Sequence, residues 1–235
     1  MTELEAIRAR HSVRQYLNKP LKPNELAALR AEVVACNKES GLHIQLVTNE
    51  SKAFEGTMAR YGKFSGVQSY FALVGKVGPD LQEKCGYWGE RLVLKAQMMG
   101  LNTCWVALTF NKVKSAYVLG DGEKLAAVIA LGHGANQGFP RKSKTMDEVT
   151  KVVGTMPDWF KAGMEAVLLA PTAVNQQKFL FTLEGNGKVS VQPGHAFYVK
   201  MDLGIVKYHF EVGAGKENFQ WQNCGSKLSG TEGLK

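Results

Sequence analysis

Apolar residues recur along this chain at two spacings, one of three to four residues and one of two, and the two alternate in blocks. Leu4 and Ile7 share a face behind the capping box Thr2-x-x-Glu5, which predicts a short helix over residues 2–10. Pro23 opens a second helix in which Leu26, Leu29 and Val33 keep helical spacing until Gly41 ends it. Leu42, Ile44 and Leu46 then alternate as a half-buried strand, and Ser69 to Val77 reads as another. The clearest helix runs from Pro79 to Met99, where Leu81, Cys85, Trp88, Leu92, Ala96 and Met99 recur and Gly100 stands at the stop. Thr103 to Leu108 is a buried strand by the same reading. Leu125 to Leu131 is a second apolar run, closed by Gly132-His133-Gly134. A basic loop over 135–144 follows, and Thr145-x-x-Glu148 is a second capping box.

Past residue 150 the pattern starts again. Pro157 opens a helix with Phe160, Met164, Val167 and Leu168 on one face, and Pro171 stops it. Phe179, Phe181 and Leu183 alternate, Gly185-Asn186-Gly187 makes a turn, and Val189 and Val191 continue a hairpin. Asp202 to Val212 is a further helix, Phe219 and Trp221 belong to a last strand, and the glycine-rich stretch from Gly225 is expected to be a disordered tail. Helices and strands mixed without regular βαβ alternation define an α+β chain. Its helix-then-strand unit at 23–47 has a counterpart at 157–183.

Composition narrows the class. Of 235 residues 45% are hydrophobic, an ordinary globular balance. No apolar run is long enough to cross a bilayer and the first residues are acidic, so a cytoplasmic protein without a membrane partner is expected. Cys36, Cys85, Cys104 and Cys224 lie far apart, a pattern of reduced thiols and not of a zinc site or a disulfide framework. Net charge is +8, which suits either nucleic acid or a phosphorylated cofactor. The lysines are scattered and no nucleic-acid motif accompanies them, so a basic nucleic-acid-binding module is the weakest of the readings.

Three segments carry candidate chemistry. Arg8, Arg10 and Arg14 with Ser12 place three guanidiniums and a hydroxyl within seven residues, where a helix gives way to extended chain. Such a cluster can grip a phosphate by charge-assisted hydrogen bonds; the plain alternative is a basic end matched to the helix dipole. Arg141-Lys142-Ser143-Lys144 is a second basic cluster. In Ala170-Pro171-Thr172-Ala173-Val174-Asn175-Gln176-Gln177, proline stops a helix, small residues admit a flat partner, and Asn175 offers a donor and an acceptor.

Together these stretches resemble the FMN-dependent nitroreductase family. Arg10-His11-Ser12-Val13-Arg14 is similar to its R-x-S-x-R start, Gly86 to Ala96 and Met99 to Trp105 to its central helix and following strand, Ala127 to Gly134 with Arg141 to Lys144 to its late glycine turn and phosphate clamp, and Ala170 to Gln177 to its A-P-S-A-x-N-x-Q segment. The resemblance implies a nitroreductase-like fold, a mixed or antiparallel sheet flanked by helices. It implies that Arg10 and Ser12, with Arg141, Lys142 and Lys144, bind the FMN phosphate, and that Arg14 reaches the flavin N1/O2 edge. His11 would contribute backbone and packing. Trp105, Ala107 and Leu108 would pass the ring near N5, although family members have Glu-Gly where Ala107-Leu108 stands. Pro171, Thr172, Ala173 and Asn175 would cover the opposite ring edge.

The A-P-S-A-x-N segment usually follows the second helix, near residue 40. Here Cys36 to Gly41 occupies that place and the motif comes about 135 residues later. Family members are homodimers whose two subunits share each flavin, so the displacement implies one chain that mimics a dimer. Residues 1–150 would supply the phosphate clamp and 151–224 a reduced second half, with 225–235 as tail. The expected state is a monomer, or a weak homodimer, with one FMN per chain. The implied activity is hydride transfer from NAD(P)H through flavin N5 to a small flat aromatic acceptor such as a nitroaromatic or quinone. A flavin-binding protein that stores, senses or degrades FMN is the alternative. The flavin carries the reaction, so no catalytic side chain and no metal are expected.

Overall fold

The computed structural model describes residues 1–184 and 187–222. Its first part runs α1 (Glu3–Ala9), α2 (Pro23–Ser40), β1 (Gln45–Val47), α3 (Thr57–Tyr61), β2 (Ser69–Lys76), α4 (Leu81–Met98), β3 (Asn102–Val106) and β4 (Glu123–Gly132). The capping box of α1 is formed, with Glu5 N donating to Thr2 Oγ1 at 3.2 Å and Thr2 N to Glu5 Oε2 at 2.7 Å. Pro23 sits in the first turn of α2, and Gly41 closes it in the left-handed region at φ 70°.

The four strands form an antiparallel sheet in the order β1-β2-β4-β3. Both faces are covered, which explains why β2 reads as an unbroken apolar run. Phe71, Leu73, Ile129 and Leu131 pack with Leu29 and Leu92 of α2 and α4. Tyr70, Val74 and Val128 pack on the other face with Phe54, Phe64 and Phe110.

The second part runs β5 (Thr150–Val152), α5 (Asp158–Leu168), β6 (Phe179–Leu183), β7 (Lys188–Pro193), α6 (Val199–Ala214) and β8 (Gln220–Trp221). Its sheet has the order β5-β6-β7-β8, antiparallel only between β6 and β7. Phe160, Met164, Phe181 and Phe210 fill the space between this sheet and α5 and α6. The two parts meet where α4 crosses α6. A Cβ on Gly86 would overlap the carbonyl oxygen of Met201, and one on Gly204 that of Glu83. Only glycine permits this backbone approach.

Several elements differ from the sequence-based expectation. The strand expected over 42–46 forms at 45–47, because the Asn37 side chain bonds Ile44 N and Ile44 O at 2.8 Å each and holds 42–44 against the end of α2. The helix expected over 79–99 spans 81–98, and that over 202–212 spans 199–214. The strand expected to reach Leu108 ends at Val106, which leaves Leu108 at 64% exposure. Thr145 and Glu148 do bond each other, yet they close a turn that leads into β5 and no helix follows. Neither β5 nor α3 was expected. Gly185 and Asn186 of the expected turn, Cys224 and the stretch from Gly225 lie outside the described residues. Cys36, Cys85 and Cys104 are free and buried. No helix among the described residues is long and apolar enough to cross a membrane.

Candidate functional site

Arg10 is the last cap of α1, in extended conformation, and from there the chain runs along the edge of β3. Ser12 bridges Thr103 in parallel and Val13 N donates to Thr103 O at 3.0 Å. The basic loop then lies over this strip. Gly138 is packed against the His11 side chain, at a φ of 76° that favours glycine. Asn136 Nδ2 donates to Gln15 Oε1 at 3.1 Å. The loop thereby delivers Arg141 to Lys144 to the C-terminal end of α5.

A helix end leaves carbonyls without helical partners, and its dipole attracts cations and donors. At the end of α5 these are Leu168 O and Leu169 O. Arg10 Nη1 donates to Leu169 O at 3.3 Å, and Arg141 Nη2 donates to the same oxygen. Ser143 Oγ and Gln177 Nε2 donate to Leu168 O at 2.9 and 3.1 Å. Lys144 Nζ donates to Gln177 O at 2.9 Å, and Asn175 Nδ2 to Lys142 O at 2.7 Å. Three segments distant in sequence converge on this one helix end.

The segment after Pro171 is bent sharply: Val174, Asn175 and Gln177 have φ of 44°, 55° and 45°. For a β-branched valine this is a strained conformation, of the kind that persists where the surroundings impose it. Thr172 Oγ1 accepts from Gln177 N at 3.1 Å. Asp202, in the first turn of α6, accepts from Ala173 N at 3.0 Å and Gln176 Nε2 at 2.7 Å. Burial pushes the Asp202 carboxyl up to about 6, against the opposing effect of those two bonds.

The electrostatics of the cluster are unbalanced. Burial lowers the pKa of Arg10, and burial together with the positive charge of Arg10 lowers that of Arg141. The Glu90 carboxyl attracts both. Arg10 Nε, Arg141 Nε and Asn175 Oδ1 are buried without a hydrogen-bond partner. Two like charges share one carbonyl oxygen, and each keeps a donor unsatisfied. That arrangement suits an anion able to accept from both.

Beneath the cluster, Glu90 of α4 and His209 of α6 are fully buried. His209 Nε2 lies 2.8 Å from Glu90 Oε1, its Nδ1 lies 2.9 Å from Ala166 O, and Trp105 Nε1 donates to Glu90 Oε2 at 2.8 Å. The indole lies over Gly89, where a Cβ would meet its ring.

The structure thus brings together Arg10, Arg141, Lys144, Asn175 and the Pro171–Ala173 segment. It leaves Arg14, Lys142 and Leu108 exposed, with Ser12, His11 and Ala107 intermediate. Cys104 stands beside Arg14, Arg10 and Ser12, which draw its thiol down, but burial outweighs them and pushes it up. Sequence reasoning missed Glu90 and His209, for which no local signal exists. It quoted Ser143 and Gln177 within motifs without giving them a role.

A family model described as "Putative TM nitroreductase" matches residues 3–214. A search of curated proteins finds no match. Among solved structures, a "putative nitroreductase" of Thermotoga maritima is 19% identical with a TM-score of 0.63, over 91% of this chain and 83% of its own. A "putative nitroreductase in complex with FMN" from Desulfovibrio desulfuricans is 18% identical with a TM-score of 0.52, over 67% of this chain and 99% of its own. A "Putative NADH dehydrogenase/NAD(P)H nitroreductase" of Parabacteroides distasonis is 21% identical with a TM-score of 0.51, over 63% and 95%.

Proposed function

Because this chain belongs to the nitroreductase family, matched over residues 3–214, we propose that it is an FMN-dependent oxidoreductase that moves hydride from NAD(P)H to nitroaromatics, quinones or similar flat acceptors. The observation that carries the reading is the mutual repulsion of Arg10, buried, and Arg141, half-buried, each with a buried, unpartnered Nε. A flavin phosphate fits them. When bound, FMN supplies a centre that takes up and returns hydride at N5. Arg10, Arg141 and Lys144, with Ser12 and Lys142 nearby, would hold the phosphate. Trp105 and Ala107 would flank the ring, with Leu108 at its rim. Pro171, Thr172, Ala173 and Asn175 would cover its other edge. Arg14, exposed on the strip beside β3, would stabilise negative charge at N1/O2.

We further propose that the chain imitates a dimer and takes one flavin. The order helix-strand-strand-helix-strand of α2, β1, β2, α4 and β3, with α3 inserted, returns in α5, β6, β7, α6 and β8. The reciprocal glycine contacts of α4 and α6 fit a pseudo-twofold axis at their crossing. The Desulfovibrio desulfuricans and Parabacteroides distasonis chains named above match about two thirds of this chain while being almost wholly covered themselves. Under that symmetry Tyr208 and Arg91 stand in the places of Glu90 and His209. They line a cleft of about 400 Å³ that also carries Glu3, Glu32 and Glu39. There Arg91 and Lys95 are already paired with Glu32 and Glu39 instead of being left for a phosphate, and no counterpart of the Arg10 segment precedes α5.

Purified protein incubated with FMN and desalted should keep one flavin per chain, run as a monomer, and oxidise NAD(P)H when a quinone or nitroaromatic is added. A protein that stays colourless overturns the flavin reading, and two flavins per chain overturn the imitation of a dimer. Tight FMN binding without any turnover would select the storage role instead.

A further inference from the structure

Phosphate binding does not account for Glu90 and His209, two ionisable side chains with no exposure at all. We infer that they are positioning residues: the pair fixes the separation between the phosphate clamp at the end of α5 and strand β3, and so fixes where a flavin ring would lie. The inference rests on the flavin reading of this site.

The hydrogen bonds form one continuous line. Ala166 O belongs to the last turn of α5, three residues before the carbonyl that receives Arg10 and Arg141. It meets His209 of α6, which meets Glu90 of α4, which meets the indole of Trp105 in β3. Four elements drawn from both parts of the molecule are joined within three hydrogen bonds. Every bond in that line has a fixed length and direction, whereas apolar side chains of equal volume would pack without setting either.

Proton bookkeeping sharpens the role. Ala166 O can only accept, so Nδ1 carries a hydrogen. At 2.8 Å the remaining contact needs one more hydrogen, shared between Nε2 and Glu90 Oε1. Whichever atom holds it, the pair is neutral overall. With its proton-sharing partner His209 beside it, Glu90 attracts Arg10 and Arg141 only in part, and their unpartnered Nε atoms remain open to an anion.

Glu90→Gln tests the geometry separately from the charge. The Gln carbonyl can accept from Trp105 and its amide can donate to a neutral His209, so the line survives. FMN affinity should then stay within about twofold of wild type. Glu90→Leu and His209→Phe break the line, release β3 from the clamp, and should weaken FMN about tenfold or more. Affinity for inorganic phosphate, which uses the clamp alone, should change by no more than about twofold in all three. If the two disruptive variants fail to give a cooperative melt, His209→Gln, which keeps a polar side chain but cannot span both Ala166 O and Glu90, should separate FMN from phosphate binding in the same way.

Equal FMN affinity in Glu90→Leu and wild type overturns the inference. So does a parallel loss of FMN and phosphate, which marks a merely structural pair, or a Glu90→Gln variant as weak as Glu90→Leu. A wild-type protein that takes no FMN overturns the flavin reading itself and the inference with it.

Discussion

Arg10 and Arg141 show how much a single side-chain position can reveal. A guanidinium removed from water is unfavourable unless its donors and its charge are matched. Here two of them converge on Leu169 O, repel one another, and keep both Nε atoms unpartnered. A fold optimised for stability alone would not retain this arrangement. Arg10→Ala should therefore weaken FMN by about 1.5–3 kcal/mol, the worth of a charge-assisted hydrogen bond, in a flavin fluorescence titration. Unchanged flavin affinity would remove Arg10 from the clamp. Arg141→Met makes the complementary case. It should lower FMN affinity as well, yet leave the flavin-free protein within about 1 kcal/mol of wild type in urea unfolding, because lost repulsion offsets a lost bond. A loss of stability above about 2 kcal/mol would make Arg141 a structural residue.

Between elements, the crossing of α4 over α6 decides the geometry of the site, since each helix carries one member of the Glu90–His209 pair. Gly204→Ala places a Cβ on the carbonyl oxygen of Glu83, and backbone cannot rotate away as a side chain can. The helices must part, at about 3 kcal/mol or more, measurable as a shift in the urea midpoint with little change in slope. A variant as stable as wild type would mean that the crossing is looser than described. This crossing was not legible in the sequence, where Gly86 and Gly204 look only like weak positions in helical patterns. The apolar period of α4, the proline start and glycine stop of α2, and the alternation of β6 were legible because each is a local signal. β5 was not: Thr150–Val152 is three residues long and exists by pairing with β6, about thirty residues onward. The site divides in the same way. Its three segments could be read as local motifs. Glu90 could not, because a buried glutamate in a helix has the same sequence neighbours as a solvated one, and His209 meets it across 119 residues.

For the molecule as a whole, stability depends on pH through side chains whose titration folding shifts, and Asp202 is the clearest. It ties α6 to the bent segment after Pro171, and burial pushes its carboxyl from the usual 3.8 up to about 6. A carboxyl whose pKa is raised by folding binds its proton more tightly in the native state than in the unfolded chain. Its contribution to stability is thus fully present below about pH 4 and is lost as pH rises through about 6. Glu123, drawn down chiefly by its hydrogen bond to His43, has the opposite sign, contributing above its usual 4.5 and losing that contribution as acid protonates it. The observed profile is a sum, so the informative quantity is the difference between wild type and Asp202→Asn. Asparagine keeps an acceptor for Ala173 N but has no proton to lose. The stability of wild type relative to Asp202→Asn should fall by roughly 1–3 kcal/mol between pH 4 and pH 6.5 and stay level above it, followed by urea unfolding at each pH. A difference that does not vary over this range would show that Asp202 titrates alike in the folded and unfolded chain. The bent segment would then owe its conformation to Thr172 and Pro171 and not to α6.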